Sequence, residues 1–365
     1  MIRRMLKGTV AAALSHSGGH RLMGRLAGAS NPTLVLGYHR VVEDFPTASR
    51  HAIPSLLVSR DMLERHLTWV ARDHRFVTLD EAARALCGRT HPKQPLAAVT
   101  FDDGYADVHD HALPLLTRMG IPATMFVATD LVGTNRPLVH DRIYALLKRA
   151  LNDPTRTTRD VLRQVSQRMG FPSLQAAHGI LSGDPLLATR AVLTSMPLGG
   201  IGHLARALEE EMGPADLGPD PPSPLSWEMI EALRAGGFTI GSHTRSHPFL
   251  TNETPARVVE EVRGSRARLQ SHLRSAVKHF AYPDGRFDRT IVDAVFTAGY
   301  AHAWTVCHHR DELLPHLSLP RRLLWENACL GTSGRFSPSV MACCAAGAFD
   351  LLAPCRVQHV DAVAS

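Results

Sequence analysis

Two aspartates stand side by side in the stretch AAVTFDDGYADVHD, where Asp102 and Asp103 follow an apolar run and precede Gly104. Like charges on adjacent residues repel, and a buried carboxylate needs a partner. An Asp-Gly pair is also common in solvated turns, so this motif alone permits an ordinary turn. It becomes informative only in combination with the polar residues that follow other predicted strands.

A histidine pair follows a second predicted strand, in GGFTIGSHTRSHPFL, at His243 and His247. Two neutral imidazoles and one carboxylate make a three-ligand set for a catalytic divalent metal that keeps a position open for water. Zinc suits this set best, with cobalt or nickel as alternatives. Because the chain has 21 histidines, a chance pair at this spacing is expected and is weak evidence by itself. A third strand end, HFAYPDGRFD, contains a Tyr-Pro-Asp-Gly turn.

Short apolar strands alternate with amphipathic helices from residue 33 onward. The predicted strands include TLVLGYH, LAAVTF, PATMFVAT, FTIGSH, VKHFAYP and AHAWTVC. This alternation is typical of a mostly parallel sheet with crossover helices, and therefore of an α/β fold. Since α/β barrels carry their active-site groups at the carboxyl ends of the strands, the three polar motifs are expected to meet there.

The alternation is interrupted by a helical stretch that ends in a linker rich in Pro, Gly and Asp. We predict a basic N-terminal extension (1–32), a first part of the barrel (33–139), a helical insertion with its linker (140–221), a second part of the barrel (222–325) and a C-terminal tail (326–365). The extension begins with basic residues but has only the short apolar run GTVAAAL. This favours an arginine-rich helix that packs on a surface over a secretory signal.

Composition excludes several classes of protein. Hydrophobic residues make up 44% and charged residues 20% of the 365, which is ordinary for a globular protein. The net charge of +6 is scattered without a block of like charge, so we predict no nucleic-acid partner. No apolar run approaches the length of a membrane span. We predict a cytoplasmic location, with membrane contact at most peripheral and through the N-terminal segment.

Taken in order, TFDDGY, HTRSHP and FAYPDG closely resemble the polysaccharide deacetylases with NodB homology, carbohydrate esterase family four. LVLGYHRV and FVTLDEAARAL resemble the N-terminal strands of the exopolysaccharide-associated branch. The resemblance covers roughly residues 33–139 and 222–325. It implies a distorted (β/α) barrel with a helical insertion, and hydrolysis of N-acetyl groups on a hexosamine-containing polysaccharide or glycan precursor.

The resemblance also implies a role for each matching residue. Asp102 matches the general base, and Asp103 matches a metal ligand together with His243 and His247. The backbone N–H of Tyr105 matches a group that holds the oxyanion of the tetrahedral intermediate. These roles would explain why the two carboxylates are adjacent. Successive residues at a strand end point in different directions, so one carboxylate can bind the metal while the other acts as the base.

Other positions are expected at the substrate or around the catalytic pair. They are His39 at the end of the first strand, Tyr282, Pro283 and Asp284 in the third motif, and Arg321 beside Asp102. Two features depart from the family pattern. Asp284 stands where an aromatic residue is usual, and the late motif with a general-acid histidine has no clear match, although His308, His309 and His316 lie in that region.

Two other functions remain open from the sequence. The protein could be a glycan-binding or assembly protein that keeps the fold with little or no turnover, as the altered third motif and the absent acid would allow. It could also be an amidohydrolase of a small non-sugar amide, with the helical insertion covering the groove. The intact set of Asp102, Asp103, His243 and His247 favours the deacetylase.

Overall fold

Parallel strands form the centre of the molecule. The computed structural model describes residues 2–26, 33–152, 160, 183–307 and 309–351. The strands of the main sheet are β1 (Leu34–Tyr38), β4 (Arg75–Phe76), β5 (Leu96–Phe101), β6 (Ala123–Val127), β7 (Phe238–Ser242), β8 (His279–Ala281), β9 (His302–Thr305), β10 (Leu319–Pro320) and β11 (Arg322–Leu323). A separate two-stranded sheet contains β2 (Arg40–Val42) and β3 (Leu57–Ser59).

The main sheet is almost closed into a barrel. Its order is β10-β9-β8-β7-β6-β5-β1-β11, with β4 paired to β5, and all of these pairs are parallel. β10 and β11 belong to opposite edges of the sheet but are separated in the chain by a single residue, Arg321. Residues 319–323 therefore bridge the two edges, and the predicted distorted (β/α) barrel is confirmed.

Helices surround the barrel and follow most of its strands. They are α1 (Ile2–His16), α2 (Gly19–Leu26), α3 (Phe45–Ala48), α4 (Arg60–Val70), α5 (Leu79–Leu86), α6 (Leu113–Met119), α7 (Val139–Asn152), α8 (Pro185–Ser195), α9 (Leu198–Met212), α10 (Trp227–Ala235), α11 (Pro255–Leu273), α12 (Arg289–Thr297) and α13 (Pro338–Ala346). Hydroxyl groups cap several N-termini, as Ser59 does for α4 and Thr78 for α5. These caps satisfy backbone N–H groups that the first turn leaves unpaired.

Alternation along the strands separates two apolar layers. On β5, Ala97, Val99 and Phe101 belong to the large cluster between the sheet and the helices, whereas Ala98 belongs to another cluster. That second cluster includes Phe126 of β6 and Trp304 of β9, so it fills the barrel interior. The side chain that follows Ala98 by two or four residues therefore also points inward, which places Thr100 and Asp102 on the interior face.

The described helices of the predicted stretch 140–221 form a lobe with its own apolar core. The helices α7, α8 and α9 meet there through residues that include Ile143, Leu147, Val192, Leu204 and Leu208. Polar contacts attach the lobe to the barrel. The Asn252 side chain donates to the carbonyls of Leu193 and Met196, at 2.9 and 3.1 Å, and Arg190 pairs with Asp284 at 3.4 Å. This lobe lies against the carboxyl ends of the strands.

The two ends of the described chain pack against each other. Ala11 of α1 clusters with Val340 and Cys343 of α13 and with Ala348. The predicted basic N-terminal helix does form, and its partner is a helix in the tail, for which the sequence pattern predicted no structure. Among the described residues, no helix has both the length and the apolar character needed to cross a membrane.

Candidate metal and catalytic site

Asp102 lies inside the mouth of the barrel, paired with the arginine that bridges its edges. Arg321 Nη1 and Nη2 donate to the two carboxylate oxygens at 2.6 and 2.8 Å, and Nη1 also donates to Thr100 Oγ1 at 3.1 Å. Asp102 is 3% exposed and Arg321 1% exposed. A bidentate, charge-assisted pair of this kind fixes both the position and the orientation of a carboxylate.

The backbone turns sharply after Asp102, and this separates the two carboxylates. Asp103 has φ 75° and Gly104 has φ 86°, both in the left-handed region that residues with a side chain rarely adopt. Thr244, His247 and Asp284 also have positive φ. Four of the five non-glycine residues with positive φ in the described chain therefore lie in loops at this end of the barrel. Strained backbone of this kind clusters at functional sites because the surrounding structure holds it there.

Asp103 faces both predicted histidines. His243 Nε2 lies 3.3 Å and His247 Nε2 lies 3.0 Å from Asp103 Oδ1, and all three residues are at most 7% exposed. His243 Nδ1 is 2.8 Å from the Ala281 carbonyl, which can only accept, so Nδ1 carries the proton and Nε2 presents a lone pair toward Asp103.

These three groups fit a divalent cation. Asp103 Oδ1 is buried and makes no hydrogen bond, although two imidazole nitrogens lie close to it. A buried carboxylate oxygen without a donor is costly unless a cation occupies the space between it and its neighbours. One carboxylate oxygen and two imidazole nitrogens within 4.8 Å of one another are a donor set that suits Zn²⁺.

Electrostatics keep both aspartates ionised. Burial opposes the charge of Asp102, but the Arg321 guanidinium outweighs it and holds the pKa of Asp102 below its usual value. Burial also opposes the charge of Asp103, yet His247 holds its pKa well below the usual value. In return, Asp103 raises the pKa of His247 against the effect of burial. The centre therefore carries full negative charge on its carboxylates at neutral pH.

Two of the predicted peripheral residues lie at the edge of this centre. His39, in the turn between β1 and β2, is half-buried and lies near both Asp102 and Asp103. Asp284 is half-buried, accepts from Arg286 Nε at 2.9 Å, and pairs with Arg190 of α8. Asp284 thus connects the third motif to the helical lobe.

Tyr282 and Pro283 do not line a groove, contrary to the sequence-based prediction. Tyr282 is 0% exposed, its ring packs on Phe280 and Phe287, and its hydroxyl donates to the Leu317 carbonyl at 2.7 Å. Pro283 is buried as well. The ring follows the outward face of β8 into the core between sheet and helices, and it has no polar group left for a ligand.

A buried group from the helical lobe reaches the centre and was not predicted from the sequence. His140, in the first turn of α7, has its ring centroid 5.2 Å from that of His247, and its Nε2 lies 3.8 Å from Asp103 Oδ2. The Tyr105 hydroxyl donates to Asp141 Oδ2 at 2.7 Å and therefore accepts from His140 Nε2 at 2.8 Å. The backbone N–H of Tyr105 has no acceptor among the described residues.

A buried glutamate holds the histidine loop, and the sequence analysis missed it too. Glu261 of α11 is 0% exposed and accepts from the backbone N–H groups of Arg245 and Ser246 at 2.8 and 2.9 Å. These two residues lie between His243 and His247, so Glu261 sets the shape of the loop that carries both. The available signal was a glutamate on the apolar face of an amphipathic helix, where a charge needs a partner.

None of the described histidines considered as a general acid in the late region lies at this centre. His316 is half-buried near His302, at the amino end of β9, and therefore at the far end of the barrel. His309 is exposed. His308 falls outside the described residues.

A second cluster of the same composition lies at the amino ends of the strands. Asp80, His279 and His302 offer ligand atoms within 4.8 Å of one another. His279 Nε2 lies 3.4 Å from Asp80 Oδ1, and the rings of His279 and His302 stack with centroids 5.4 Å apart. We call Asp103, His243 and His247 the upper cluster, and Asp80, His279 and His302 the lower cluster.

Sequence comparison connects the chain to one family. The profile described as polysaccharide deacetylase matches residues 89–169 and 189–303. The matched range includes α7 and α9 of the helical lobe. Poly-beta-1,6-N-acetyl-D-glucosamine N-deacetylases of Staphylococcus epidermidis and Staphylococcus aureus are 30% and 31% identical over 112 and 111 residues, which is 28% of this chain and 38% of each relative. The chain thus matches less than half the length of these relatives.

Solved structures share the fold. The Streptococcus pyogenes deacetylase PplD, solved in complex with acetate, aligns with a TM-score of 0.51 at 18% identity, over 81% of this chain and 93% of that one. IcaB from Ammonifex degensii aligns with a TM-score of 0.50 at 22% identity, over 81% and 92%. At this identity the likeness establishes the barrel fold alone.

Proposed function

Because the chain belongs to the polysaccharide deacetylase family, we propose that it is a metal-dependent hydrolase that removes N-acetyl groups from a hexosamine-containing polysaccharide or glycan precursor. One observation carries the proposal. A buried set of cation ligands, Asp103, His243 and His247, lies directly beside an ionised carboxylate, Asp102, that is held separately by Arg321. Metal-assisted hydrolysis of an amide needs a cation site and a general base side by side.

The upper cluster would hold the cation, and Zn²⁺ is the ion we propose for it. When bound, a divalent cation supplies Lewis-acid polarisation of the acetyl carbonyl and makes a water molecule acidic enough to react at neutral pH. The hydrogen bond from His243 Nδ1 to the Ala281 carbonyl leaves Nε2 of His243 available to bind the cation. Such outer hydrogen bonds fix the tautomer and orientation of a ligand histidine.

Asp102 is the proposed general base. Its carboxylate is ionised at neutral pH and keeps lone pairs beyond the two used by Arg321, so it can accept a proton from the attacking water. The Tyr105 N–H is the proposed donor to the oxyanion that forms on the acetyl carbonyl. Asp102 and Tyr105 act from the two sides of the Asp103–Gly104 turn.

The substrate class follows from the relatives only as a proposal. Two of them are named as deacetylases of poly-beta-1,6-N-acetyl-D-glucosamine, which supports an N-acetylhexosamine polymer or its precursor as the substrate here. One observation favours a more compact substrate. Asp102, Asp103, His243 and His247 are all at most 7% exposed, and His140 from the lobe lies against them. A small acetylated amide is therefore the second candidate.

Acetate release tests the proposal directly. Purified protein would be given acetylated chitooligosaccharides, a poly-β-1,6-N-acetylglucosamine oligomer and monomeric N-acetylglucosamine. Each assay would be run after chelation and after addition of zinc, cobalt or nickel. The Asp102→Asn and His243→Ala variants would be compared with His279→Ala, a matched change in the lower cluster.

Metal-dependent release that is lost in Asp102→Asn and His243→Ala but kept in His279→Ala would support a deacetylase with these roles. Release from the monomer alone would favour the compact substrate. No release from any of the three, with metal still bound, would contradict the deacetylase proposal and favour a glycan-binding protein.

A further inference from the structure

The helix α7 connects the upper cluster with a surface cavity. Its first turn brings His140 to the upper cluster, and its last turns line a surface cavity of about 390 Å³. The cavity is lined by Arg50, His51, Ala145, Lys148, Arg149, Asn152 and Asp216. Its volume lies within the range of small-ligand pockets.

Positive charge dominates this cavity. Arg50, Lys148 and Arg149 are basic side chains, whereas Asp216 is the one carboxylate among the lining residues. The Asp216 side chain is 70% exposed and lies 3.8 Å from His51 Nδ1. The Lys148 ammonium donates to the Arg50 carbonyl and Arg149 donates to the Pro214 carbonyl. These acceptors are neutral, so they orient the cations without cancelling their charge.

The helix dipole explains only part of this arrangement. Basic residues in the last turn of a helix are stabilised by its negative end, which accounts for Arg149. Arg50 and His51 come from a different element, the loop between α3 and β3, so the dipole of α7 does not account for their position. Convergence of cations from two elements on one concave surface indicates a site for an anion.

The cavity lies within reach of a substrate that reacts at the upper cluster. His140 and Lys148 are eight residues apart on one helix, which corresponds to about 12 Å at 1.5 Å per residue. A glycan whose acetyl group and phosphate are about 12 Å apart matches this separation.

We propose that this cavity binds a phosphate or pyrophosphate group carried by the glycan substrate. Arginine and lysine donors from two elements match the several oxygens of a phosphate group better than a single carboxylate. The identity of the group's carrier rests on the proposed deacetylase function. The presence of the anion site rests on the cavity alone.

Binding of inorganic phosphate tests the anion site without reference to catalysis. The full-length, metal-loaded protein would be compared with Arg50→Gln/Lys148→Gln and with Arg72→Gln, a control in the exposed turn after α4, by equilibrium dialysis at low salt. Any phosphate held at the upper cluster is common to all three proteins and cancels in the comparison. We expect the double variant to bind about tenfold more weakly at the cavity and the control to bind as the wild type does. Equal binding by all three overturns the proposal.

Kinetics test whether the site serves the substrate. KM would be measured for a neutral acetylated oligosaccharide, for its 1-phosphate, which resembles the end of a lipid-linked precursor, and for a 6-phosphorylated form, which resembles a phosphorylated polymer. We expect the double variant to raise the ratio of KM for one phosphorylated form to KM for the neutral one by about tenfold. The form that responds identifies the source of the phosphate.

The two proposals fail in different ways. If no glycan is deacetylated but phosphate binding depends on Arg50 and Lys148, the deacetylase proposal fails and the anion site is supported. If deacetylation occurs and the KM ratio is the same in the double variant as in Arg72→Gln, the role of the cavity in substrate binding is overturned while the deacetylase stands.

Discussion

The upper and lower clusters have the same residue composition but differ in how their histidines are hydrogen-bonded, and therefore in how well they can bind a metal. Both place one aspartate and two histidines within 4.8 Å. In the upper cluster, His243 Nδ1 donates to the Ala281 carbonyl, so its Nε2 is a free ligand. In the lower cluster, His279 Nδ1 accepts from the indole N–H of Trp304 at 3.3 Å, which can only donate. The neutral His279 ring therefore carries its proton on Nε2, facing Asp80, where a metal would need a lone pair.

The charged residues around the two clusters also favour a cation in the upper cluster over the lower one. His247 in the upper cluster is influenced by the carboxylates of Asp102 and Asp284 as well as Asp103. In the lower cluster, Lys278 Nζ lies 3.6 Å from Asp80, and His302 is influenced by the positive charge of Arg89. A cation is thus favoured at one end of the barrel and opposed at the other. The hydrogen bonds at His243 Nδ1 and His279 Nδ1, together with the surrounding charge, distinguish a metal site from a set of ligand-type residues.

The largest expected effect comes from matched aspartate substitutions in the two clusters. Asp103→Asn should abolish tight metal binding and lower kcat/KM for deacetylation by about 1000-fold or more, since a catalytic metal contributes several kcal/mol to the transition state. Asp80→Asn should leave both quantities close to those of the wild type. Metal content after dialysis, measured by elemental analysis, and acetate release are the two readouts.

The comparison between the clusters would be wrong if Asp80→Asn lost a metal equivalent. It would also be wrong if wild-type protein in excess zinc held two tightly bound ions per chain. Circular dichroism spectra of both variants serve as the control for folding.

The next prediction distinguishes the proposed general base, Asp102, from the metal ligands of the upper cluster. Asp102→Asn should lower kcat by about 100- to 1000-fold, because a general base is lost, while the metal content stays at that of the wild type. It should also lower the free energy of unfolding by about 3–5 kcal/mol, because Arg321 is left buried without its carboxylate.

A double variant distinguishes these two consequences. Asp102→Asn/Arg321→Met removes the uncompensated cation and should recover much of the stability, measured by urea unfolding, with no recovery of kcat. If activity returned together with stability, Asp102 would act through Arg321 and the fold rather than as the base.

A smaller effect is expected from the lobe residue that reaches the upper cluster. His140→Phe keeps a ring against His247 but loses the hydrogen bond to Tyr105. Residues that orient metal ligands typically contribute 10- to 100-fold in affinity, and we expect about tenfold weaker zinc binding, measured by competition with a chelating dye. His272→Phe, a change in the histidine stacked on Trp227, is the matched control. Equal zinc affinity in the two variants would remove His140 from the site.

The sequence predicted the parts of the site that lie at strand ends. Asp102, Asp103, His243 and His247 follow strands with clear apolar patterns, and the carboxyl ends of parallel strands must meet at one face. The closure of the barrel was not predictable in the same way, because β10 and β11 contain two residues each and carry no period. Only the tertiary arrangement makes Arg321 the bridge.

The errors and omissions have a common cause. His140 lies in a helix that reads as part of a separate insertion, and its contact with His247 depends on how that helix packs on the barrel. Tyr282 was expected at the substrate from its motif, whereas the alternation along β8 turns its ring into the core. The lower cluster brings together three residues that are far apart in the chain, and no local pattern connects Asp80 with His302.

The smallest effect is a difference in the pH dependence of stability, and it belongs to the lower cluster. Burial lowers the pKa of His302 to about 4, and the positive charge of Arg89 acts in the same direction, while Asp80 opposes them. Its value in the unfolded chain is about 6.5. Between these values the unfolded state binds more protons than the folded state, so the contribution of a neutral His302 to stability is complete above pH 6.5 and is lost as the pH falls toward 4.

Substitution of His302 should weaken the dependence of the unfolding free energy on pH in this range. In an Asp103→Asn background, where no metal is lost on acidification, His302→Phe should reduce the fall in unfolding free energy between pH 7 and pH 4.5. The reduction should be on the order of 2 kcal/mol, since each pH unit between the two pKa values is worth about 1.4 kcal/mol and part of the ring stays hydrated. Urea unfolding at both pH values measures it, and the other titrating groups cancel between the two proteins. Parallel profiles of the two proteins would mean that His302 is protonated in the folded state. The lower cluster would then hold an ion pair between His302 and Asp80. In that case the two clusters would differ in protonation rather than in tautomer.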